Sequence, residues 1–362
     1  MSESDTRFCF LVDWYDQHAS MIRRYQLLFY PKDKSVEMYD FKKHRIFLKR
    51  TKCDHLTMND LYIGSMINIF SRQLTVIDYG DDYSREALGT RTEKTLALLT
   101  SEAFPKMGEI INLLQDKKFR ITKMKMCEVT PKEAINQQEI IDYISKGPVL
   151  AMELLGDNAI TAWKEFIGCE EDKDISPSAL SLIARYENEH MIFGSSSATE
   201  AARQLEFFFP TSSSLRKNTA IMEDCTCCVI KPHAVAEGLT GNILNAVLDA
   251  GFQITAIQMF YLERANAEEF FEVYKGVVPE YMSMVSEMIS GPCIAIAIRA
   301  QDAPKAFRDF SGPADPEIAC HLRPRSLRAL YGKTKIKNAV HCTDLPTDGL
   351  LEVEYFFKIL DQ

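Results

Sequence analysis

The sequence predicts a multidomain protein in which an N-terminal mainly-β module, residues 1–91, precedes two α/β domains of the ferredoxin-like type. The chain of 362 residues exceeds what one hydrophobic core usually serves. Short β-branched and aromatic runs fill the first quarter, and the remainder carries an internal repeat. We therefore expect domains at 92–210 and 223–362, joined by a linker at 211–222.

Composition excludes several classes of protein. The net charge of -9 argues against a general nucleic-acid binder, because affinity for the phosphate backbone comes from concentrated Lys and Arg. No apolar run resembles a signal sequence or approaches the roughly 20 residues that span a bilayer. We expect an intracellular, soluble protein without a nucleic-acid or membrane partner.

The 10 cysteines have no regular spacing, which is typical of reduced thiols scattered through cores. One cluster, Cys225, Cys227 and Cys228, raises the alternative of a metal site. It lies in an apolar strand-like run with no second Cys/His pair downstream at finger spacing, so a core strand is favoured.

The N-terminal module is predicted from short runs separated by turn residues. The predicted strands lie at 7–14, 23–31, 35–41, 44–50 and 73–80. They predict a small barrel or sandwich. The segment has no acid/base pair, Gly-rich phosphate loop or nucleophile motif, so we interpret it as a binding module.

A basic run without an acidic residue lies in this module. Its members are Lys42, Lys43, Arg45, Lys49, Arg50 and Lys52. One interpretation is a solvated strand face. The other is a patch for an acidic surface such as a microtubule wall.

The pattern YDQHASMIRRYQLLFYPKDKSVEMYDFKKHRIFLKRT, residues 15–51, belongs to a segment that resembles the DM10 domain over about residues 5–91. That family occurs in proteins of ciliary and flagellar axonemes. The resemblance implies a location in the cytoplasm and cytoskeleton, at the axoneme of a cilium or flagellum. It also implies tubulin of doublet microtubules and other axonemal proteins as partners.

The internal repeat is identified by residues that recur at nearly constant spacing along the chain. Gly108, Ile110 and Phe119 recur 133 positions later, and Trp163 and Phe166 are matched 144 positions later by Phe307 and Phe310. The second copy contains predicted strands near 225–231, 253–262, 292–300 and 339–342, and predicted helices near 241–251, 266–274, 280–289, 303–310 and 349–357. This alternation predicts an α/β sandwich with the split β-α-β topology of ferredoxin-like folds.

Five motifs of the second copy stand in a characteristic order: IKPHA at 230–234, SGP at 290–292, RDFSG at 308–312, RSLRALYG at 325–332 and NAVHCTD at 338–344. Together they resemble the nucleoside diphosphate kinase family. That family transfers the γ-phosphoryl group of a nucleoside triphosphate to a histidine and then to a nucleoside diphosphate.

The resemblance implies a role for seven residues. They are His341 as nucleophile, Glu352 as its orienting carboxylate, Lys231, Arg308, Arg328 and Tyr274 at the phosphates, and Asn338 at the ribose. Mg²⁺ is implied as a cofactor held mainly by the nucleotide phosphates, so no protein ligand for a metal is assigned.

Several positions depart from the family pattern. Ala314 replaces a Thr beside the phosphates, and His233 replaces the usual Asp after Lys-Pro. The loop from Tyr274 to Ser290 is shorter and lacks Arg-Pro-Phe-Phe, which leaves Tyr281 as the nearest aromatic for the base. His321 has no family role and is expected at the surface.

The first copy lacks the site. Thr100-Ser101 replaces Lys-Pro, Lys164 replaces Arg308, His190 replaces Asn338, and Phe193 takes the position of the nucleophile. Because a phenyl ring cannot accept a phosphoryl group, we expect an inactive copy retained for its fold. Two functions stay open: an axonemal protein with one active kinase site, and a purely structural microtubule inner protein without significant turnover. An unrelated α/β phosphate binder is the third, least favoured alternative.

Overall fold

The computed structural model describes residues 6–16, 19–54, 56–70, 72–89, 92–130, 132–168, 182, 186, 191–210 and 216–361. The chain forms two compact units, Met1–Thr92 and Glu93–Gln362. The first unit is mainly β and the second is α/β, as the sequence predicts.

The first unit is one six-stranded sheet and a short helix. Its elements are β1 (Phe8–Asp16), β2 (Met21–Tyr30), β3 (Ser35–Asp40), β4 (Arg45–Lys52), a 3₁₀ turn (Met58–Asp60), β5 (Met66–Ile69), β6 (Arg72–Tyr79) and α1 (Asp82–Gly89). The strands lie in the order β4-β3-β2-β1-β6-β5 and pair antiparallel. Alternate residues such as Phe10 and Val12 face a fully buried core.

All described strands of this unit belong to one sheet, so the sandwich alternative is wrong. β4 and β5 are its edges. β5 was not predicted, because four residues are too few to show an alternating pattern. The basic run occupies β4 and the turn before it, so it lies at a sheet edge.

The second unit has one eight-stranded sheet to which both repeats contribute four strands. These are β7 (Thr92–Thr100), β8 (Arg120–Cys127), β9 (Val149–Asp157) and β10 (Ile192–Gly194), then β11 (Cys225–Ile230), β12 (Gln253–Phe260), β13 (Cys293–Arg299) and β14 (Val340–Cys342). Their order is β10-β7-β9-β8-β12-β13-β11-β14. Each half has the strand order of a ferredoxin-like fold, and the halves meet where Lys125 of β8 pairs with Gln258 of β12. The fold prediction is confirmed.

Helices cover both faces of this sheet. The first repeat contributes α2 (Met107–Asp116), α3 (Ile141–Ile144), α4 (Ala159–Ile167), α5 (Ala198–Phe208) and 3₁₀ segments at Ser101–Lys106 and Gln138–Ile140. The second contributes α6 (Pro232–Ala236), α7 (Thr240–Asp249), α8 (Arg264–Phe270), α9 (Tyr281–Met288), α10 (Ala303–Ser311), α11 (Pro316–Leu322), α12 (Leu327–Tyr331), α13 (Gly349–Glu354), 3₁₀ segments at Glu272–Tyr274 and Pro346–Asp348, and a π-helical turn at Tyr355–Ile359. None of the described helices combines the length and apolar character that crossing a membrane requires.

The side chains of β13 show how the sheet is packed. The run CIAIAI alternates, so Ile294, Ile296 and Ile298 face one side while the alanines face the other. On the isoleucine side, α2, α4, α7 and α10 share one core that is continuous across both repeats. On the opposite side each repeat keeps a core of its own.

The described part of the predicted linker, residues 216–222, packs on the second unit. Asn218 forms a bridge with Cys127 at the end of β8, and its amide donates to Asp361 Oδ2 at 2.8 Å. Asp361 also forms an ion pair with Lys125 and accepts a hydrogen bond from Gln258. The linker, the chain end and both repeats therefore meet at one buried carboxylate.

Candidate active site

His341 lies on β14 with its imidazole held by a carboxylate. Its Nε2 is 3.0 Å from Glu352 Oε2, and Thr343 Oγ1 donates to the same oxygen at 2.8 Å. Because the carboxylate accepts, Nε2 carries the proton and Nδ1 keeps its lone pair. The geometry therefore presents Nδ1 as a nucleophilic atom.

Aromatic side chains fix the plane of this imidazole. The ring centroid of His341 is 4.9 Å from that of Phe270 and 5.7 Å from that of Phe271, both in edge-to-face geometry. His341 is 5% exposed. The imidazole is thus held by the Glu352 carboxylate through one ring nitrogen and by edge-to-face packing against Phe270 and Phe271.

Lys231 follows β11 and is almost completely buried, with 5% exposure. Its Nζ donates to the carbonyl of Ile336 at 2.9 Å. Burial, together with the nearby Arg328 guanidinium, lowers the pKa of the ammonium group to about 7. An anion placed beside this side chain, such as a phosphate group, would favour its charged form.

Arg328, on α12, spans the strand that carries His341. Its Nη1 donates to Gly312 O at 2.8 Å and its Nε to Val340 O at 3.2 Å, while Nη2 approaches Cys342 Sγ at 3.4 Å. Val340 and Cys342 flank His341 in the chain. The guanidinium group is therefore fixed relative to the imidazole.

Tyr274 and Arg308 meet at Asp344. The Tyr274 hydroxyl donates to Asp344 Oδ2 at 2.6 Å, and burial, with this hydrogen bond, raises the pKa of the phenol. Arg308 Nη2 is 3.6 Å from Asp344 Oδ1, and Nη1 donates to the Asp344 carbonyl. The Arg308 side chain is about half exposed, so it is accessible to a ligand.

Asn338 has one amide atom engaged and one without a partner. Its Nδ2 donates to Ala314 O at 2.8 Å, whereas the buried Oδ1 has no hydrogen-bond partner in the part of the chain that the structure describes. A buried acceptor of this kind is usually satisfied. A hydroxyl group of a bound ligand, such as a ribose, would satisfy it.

All seven residues of the predicted site lie in or contact the segment 336–344 or its His341 side chain. Sequence reasoning assigned no role to Thr343 and Asp344. Both stand within three positions of His341, which is the signal that identifies them.

Tyr281 and His321, two residues outside the predicted set of seven, differ in exposure. Tyr281 is buried, and its hydroxyl donates to Glu268 O at 3.3 Å, so it does not offer a free face to a nucleobase. That suggestion was wrong because the tyrosine belongs to the apolar face of α9. His321 is exposed, as expected.

The cysteine cluster does not converge on one point. Cys227 and Cys228 are neighbours in β11 and face opposite sides of the sheet, in different cores. Burial raises the pKa of both thiols well above the ordinary value. Within the described residues, no group of three or more His, Cys, Asp or Glu side chains is arranged to hold a metal ion.

The first repeat keeps the framework of this site with different groups. Phe193, at the position of His341, packs edge-to-face with Tyr143 at 5.2 Å. Ser195 Oγ donates to Gln204 Oε1 at 2.7 Å, 148 positions before the Thr343–Glu352 pair. The orienting carboxylate is thus an amide here, which sequence analysis missed. His190 lies outside the described residues.

Comparison with known proteins agrees with this geometry. The family model described as nucleoside diphosphate kinase matches residues 93–214 and 224–361, one match for each repeat. This chain belongs to the nucleoside diphosphate kinase family. The resemblance predicted from the five ordered motifs is confirmed.

The N-terminal unit matches a family model as well, described as the N-terminal PH domain of nucleoside diphosphate kinase 7, over residues 2–90. Nucleoside diphosphate kinase homolog 7 of Mus musculus is 53% identical over 98% of this chain and 94% of its own length. The Rattus norvegicus protein of that name is 52% identical over the same shares. A nucleoside diphosphate kinase of Aquifex aeolicus is 37% identical over 38% of this chain and 95% of its own length.

Membership in the nucleoside diphosphate kinase family implies Mg²⁺ with the nucleotide. The acidic groups nearest His341 are already engaged: Asp344 with Tyr274 and Arg308, and Glu352 with His341 and Thr343. The site therefore offers cationic side chains that can bind phosphate groups, whereas its carboxylates are already engaged and do not form a metal site. This donor set fits a magnesium ion that is bound through phosphate oxygens.

Proposed function

We propose that the second repeat transfers the γ-phosphoryl group of a nucleoside triphosphate to a nucleoside diphosphate through a phosphohistidine at His341. The observation that carries this proposal is the hydrogen bond from His341 Nε2 to Glu352. It leaves the Nδ1 lone pair free to attack phosphorus.

In the first half-reaction a bond forms between Nδ1 and the γ-phosphorus. The bond from phosphorus to the bridging oxygen breaks, and the nucleoside diphosphate leaves with that electron pair. In the second half-reaction a terminal oxygen of another diphosphate attacks the phosphorus and the P–N bond breaks. The imidazole returns to its starting state, and Glu352 stabilises positive charge on the ring during both steps.

Lys231, Arg328 and Arg308 would hold the phosphate oxygens, with Tyr274 beside them. Arg328 is held by three contacts and does not need to reorganise when phosphates arrive. Asn338 Oδ1 would accept from a ribose hydroxyl. Bound magnesium would neutralise part of the phosphate charge. Ala314 supplies no hydroxyl donor, which weakens phosphate binding by about 1 kcal/mol without removing the other contacts.

The test is incubation of the purified chain with a γ-labelled nucleoside triphosphate, followed by assay of acid-labile phosphate on the protein. We expect labelled wild type and loss of the label on addition of a nucleoside diphosphate. His341→Ala should not be labelled, while Phe193→Ala, its counterpart in the first repeat, should be labelled like wild type. Phosphohistidine in His341→Ala would contradict the assignment. An unlabelled wild type would support the structural alternative.

We further propose that the N-terminal unit docks on an acidic protein surface and places the chain on axonemal doublet microtubules. Three connections between strands lie at the same end of its sheet: they follow β1, β3 and β5 and lead into β2, β4 and β6. Exposed apolar side chains gather there, namely Ile22 (64%), Phe41 (48%), Ile46 (54%) and Phe70 (51%). We call this surface the hairpin end.

Basic residues accompany these apolar side chains. Lys42 and Lys43 are exposed in the turn beside Phe41, and Arg45 is exposed beside Ile46 at the start of β4. A solvated edge strand is commonly lined by lysines to prevent edge-to-edge pairing, which accounts for Lys49 and Lys52. It does not account for exposed Phe and Ile beside them. Arg50 is engaged with Asp33 and stacks on Tyr30, so it is not available to a partner.

The basic run is tested by reversing charge at Lys42, Lys43, Lys49 and Lys52, and the apolar part of the hairpin end is tested separately by Phe41→Ser with Ile46→Ser. Axonemes carrying each variant are extracted at graded salt and blotted beside wild type. We expect lower retention for both variants and a greater salt sensitivity for the charge variant. Phosphorylation of His341 should not change, because site and surface lie in different units. Equal retention would identify the run as a solvated strand face.

A further inference from the structure

The backbone next to the proposed nucleophile has an unusual conformation. Ala339 has φ +69°, in the left-handed region that favours glycine. Val340 N–H donates to Asn338 O at 2.9 Å across it, which closes a three-residue γ-turn. Such a conformation is strained for a residue other than glycine and persists only when its surroundings hold it. The turn begins at Asn338 and ends one residue before His341, so its shape sets the direction of both side chains.

Two hydrogen bonds from one neighbouring segment hold this turn. Ala339 O accepts from Lys231 N–H at 2.9 Å, and Ala339 N–H donates to His233 Nε2 at 3.2 Å. Because Nε2 accepts, the other nitrogen must carry the proton of a neutral ring. The Lys231–His233 segment, at the start of α6, therefore forms hydrogen bonds with both the N–H and the carbonyl group of Ala339.

Glu287 on α9 fixes the tautomer of His233. Its Oε1 is 2.7 Å from His233 Nδ1 and accepts from the His233 backbone N–H at 3.1 Å. His233 is 7% exposed and Glu287 is 6% exposed. A buried carboxylate that accepts two hydrogen bonds from one residue holds that residue's ring in a single orientation. A continuous chain therefore runs from Glu287 through His233 to the turn.

The first repeat provides an internal comparison. Thr100 N–H donates to Met191 O at 2.9 Å, which is the counterpart of the bond from Lys231 to Ala339. The residue two positions after Thr100 is Glu102, and it forms an ion pair with Lys146 at 3.1 Å. The backbone bond is thus common to both repeats. The histidine support occurs in the repeat that has His341 and takes the place of the Asp expected after Lys-Pro.

We propose that His233 is a positioning residue for phosphoryl transfer: through Glu287 and Ala339 it holds the γ-turn that aims the His341 imidazole. The inference rests on the proposed function of His341. The role proposed for His233 is to position the turn and the imidazole through its hydrogen bonds to Glu287 and Ala339. His233 acts by keeping Nδ1 of His341 on the line of attack, where a misplacement of about 1 Å can cost 100-fold in rate.

The test compares two substitutions that differ in hydrogen bonding. His233→Gln has an amide that donates to Glu287 and accepts from Ala339, whereas His233→Leu fills the space and does neither. Single-turnover labelling of His341 at saturating nucleoside triphosphate gives the rate. We expect His233→Leu to be slower by about tenfold or more, and His233→Gln to recover most of that loss. A leucine variant as fast as wild type, or a glutamine variant as slow as leucine, would overturn the proposal.

Val285→Ala is the matched control for general destabilisation. Val285 is fully buried on the same helix as Glu287, belongs to the core on that face and makes no part of the chain of hydrogen bonds from Glu287 to Ala339. It should lower the unfolding midpoint and leave the saturated rate unchanged. If it slows labelling as much as His233→Leu does, the effect is stability and the positioning role is wrong.

A second measurement does not depend on activity. In ¹⁵N-histidine spectra of wild type, His233 should show the neutral Nδ1–H tautomer. In His233→Leu the ring signals of His341 should shift, and exchange of the Ala339 amide proton should quicken. If wild type is never phosphorylated, the proposed function fails while these spectra still test the turn. Unmoved His341 and Ala339 signals in His233→Leu would refute the positioning role alone.

Discussion

Gly108 and Gly241 lie against each other where α2 crosses α7. A Cβ atom on either glycine would come within 3.0 Å of the backbone carbonyl oxygen of the other. Asn112 and Asn245, which are also 133 positions apart, flank the crossing, and Asn112 Nδ2 donates to Asn242 Oδ1 at 2.8 Å. The two repeats therefore meet about an approximate two-fold axis. Close approach of the two backbones lets one core continue from repeat to repeat.

Gly241→Ala should push α2 and α7 apart. We expect the free energy of unfolding to fall by about 1–3 kcal/mol, as for other overpacked cores. Urea denaturation followed by circular dichroism measures it. Gly291→Ala is the control, because a Cβ atom there meets only Pro232 Cβ at an ordinary 3.6 Å. Equal loss in both variants would show that glycine removal in general, and not the crossing, is responsible.

Much of this arrangement follows from local patterns. The alternation in CIAIAI predicts β13, and the 133-residue spacing predicts that Gly108 and Gly241 are equivalent. The sequence does not show that they touch, because a helix crossing depends on how two complete repeats pack. The helices Pro316–Leu322 and Leu327–Tyr331 were missed since seven and five residues are too few for helical periodicity.

The candidate site also combines features that the sequence predicts with features that it does not. Ordered motifs were sufficient to select the residues that converge on β14. The support by His233 was not predicted, because the contact to Ala339 joins residues 106 positions apart through a positive φ that the residue type does not suggest. The presence of Gln204 in the first repeat where the second has Glu352 was not predicted either, because its meaning depends on the hydrogen bond that Glu352 makes.

The ion pair between Lys125 and Asp361 should contribute strongly to stability. Their side chains are 3% and 5% exposed, and they connect the first repeat to the chain end. Asp361→Ala leaves a buried ammonium group without its anion, so we expect a loss of about 3–5 kcal/mol in the free energy of unfolding. Adding Lys125→Met to this variant should restore part of the loss.

An exposed pair gives the comparison for this effect. Lys358 and Glu354 form an ion pair on the surface, where Lys358→Ala should cost under about 1 kcal/mol. Equilibrium denaturation of wild type, Asp361→Ala, the double variant with Lys125→Met and Lys358→Ala gives the free energy of unfolding of each. The comparison separates the effect of burying an ion pair from the effect of its charge alone. If Asp361→Ala loses no more stability than Lys358→Ala, the chain end does not anchor the two repeats.

The lowered pKa of Lys231 gives the folded protein a specific pH dependence. The folded pKa of about 7 lies below that of an unfolded lysine, so between these values the unfolded state binds one more proton. Lys231 therefore destabilises the free protein fully below pH 7, and the penalty disappears as the pH rises toward about 10.4. Lys231→Met should be more stable than wild type. We expect its advantage to be largest below pH 7 and to shrink by about 1.4 kcal/mol per pH unit above it.

Nucleotide binding should reverse this shift, because phosphate charges favour the protonated ammonium group. Near pH 8 the Lys231 side chain of the nucleotide-free protein is mostly neutral. Wild type should therefore take up a proton when a nucleoside diphosphate binds. Calorimetric titrations in two buffers of different ionisation enthalpy measure that uptake. His341→Ala, which keeps Lys231, should show it, and Lys231→Met should not. Lys333→Met removes an exposed lysine paired with Glu237 and should behave as wild type. Uptake that persists in Lys231→Met would assign the proton to another group.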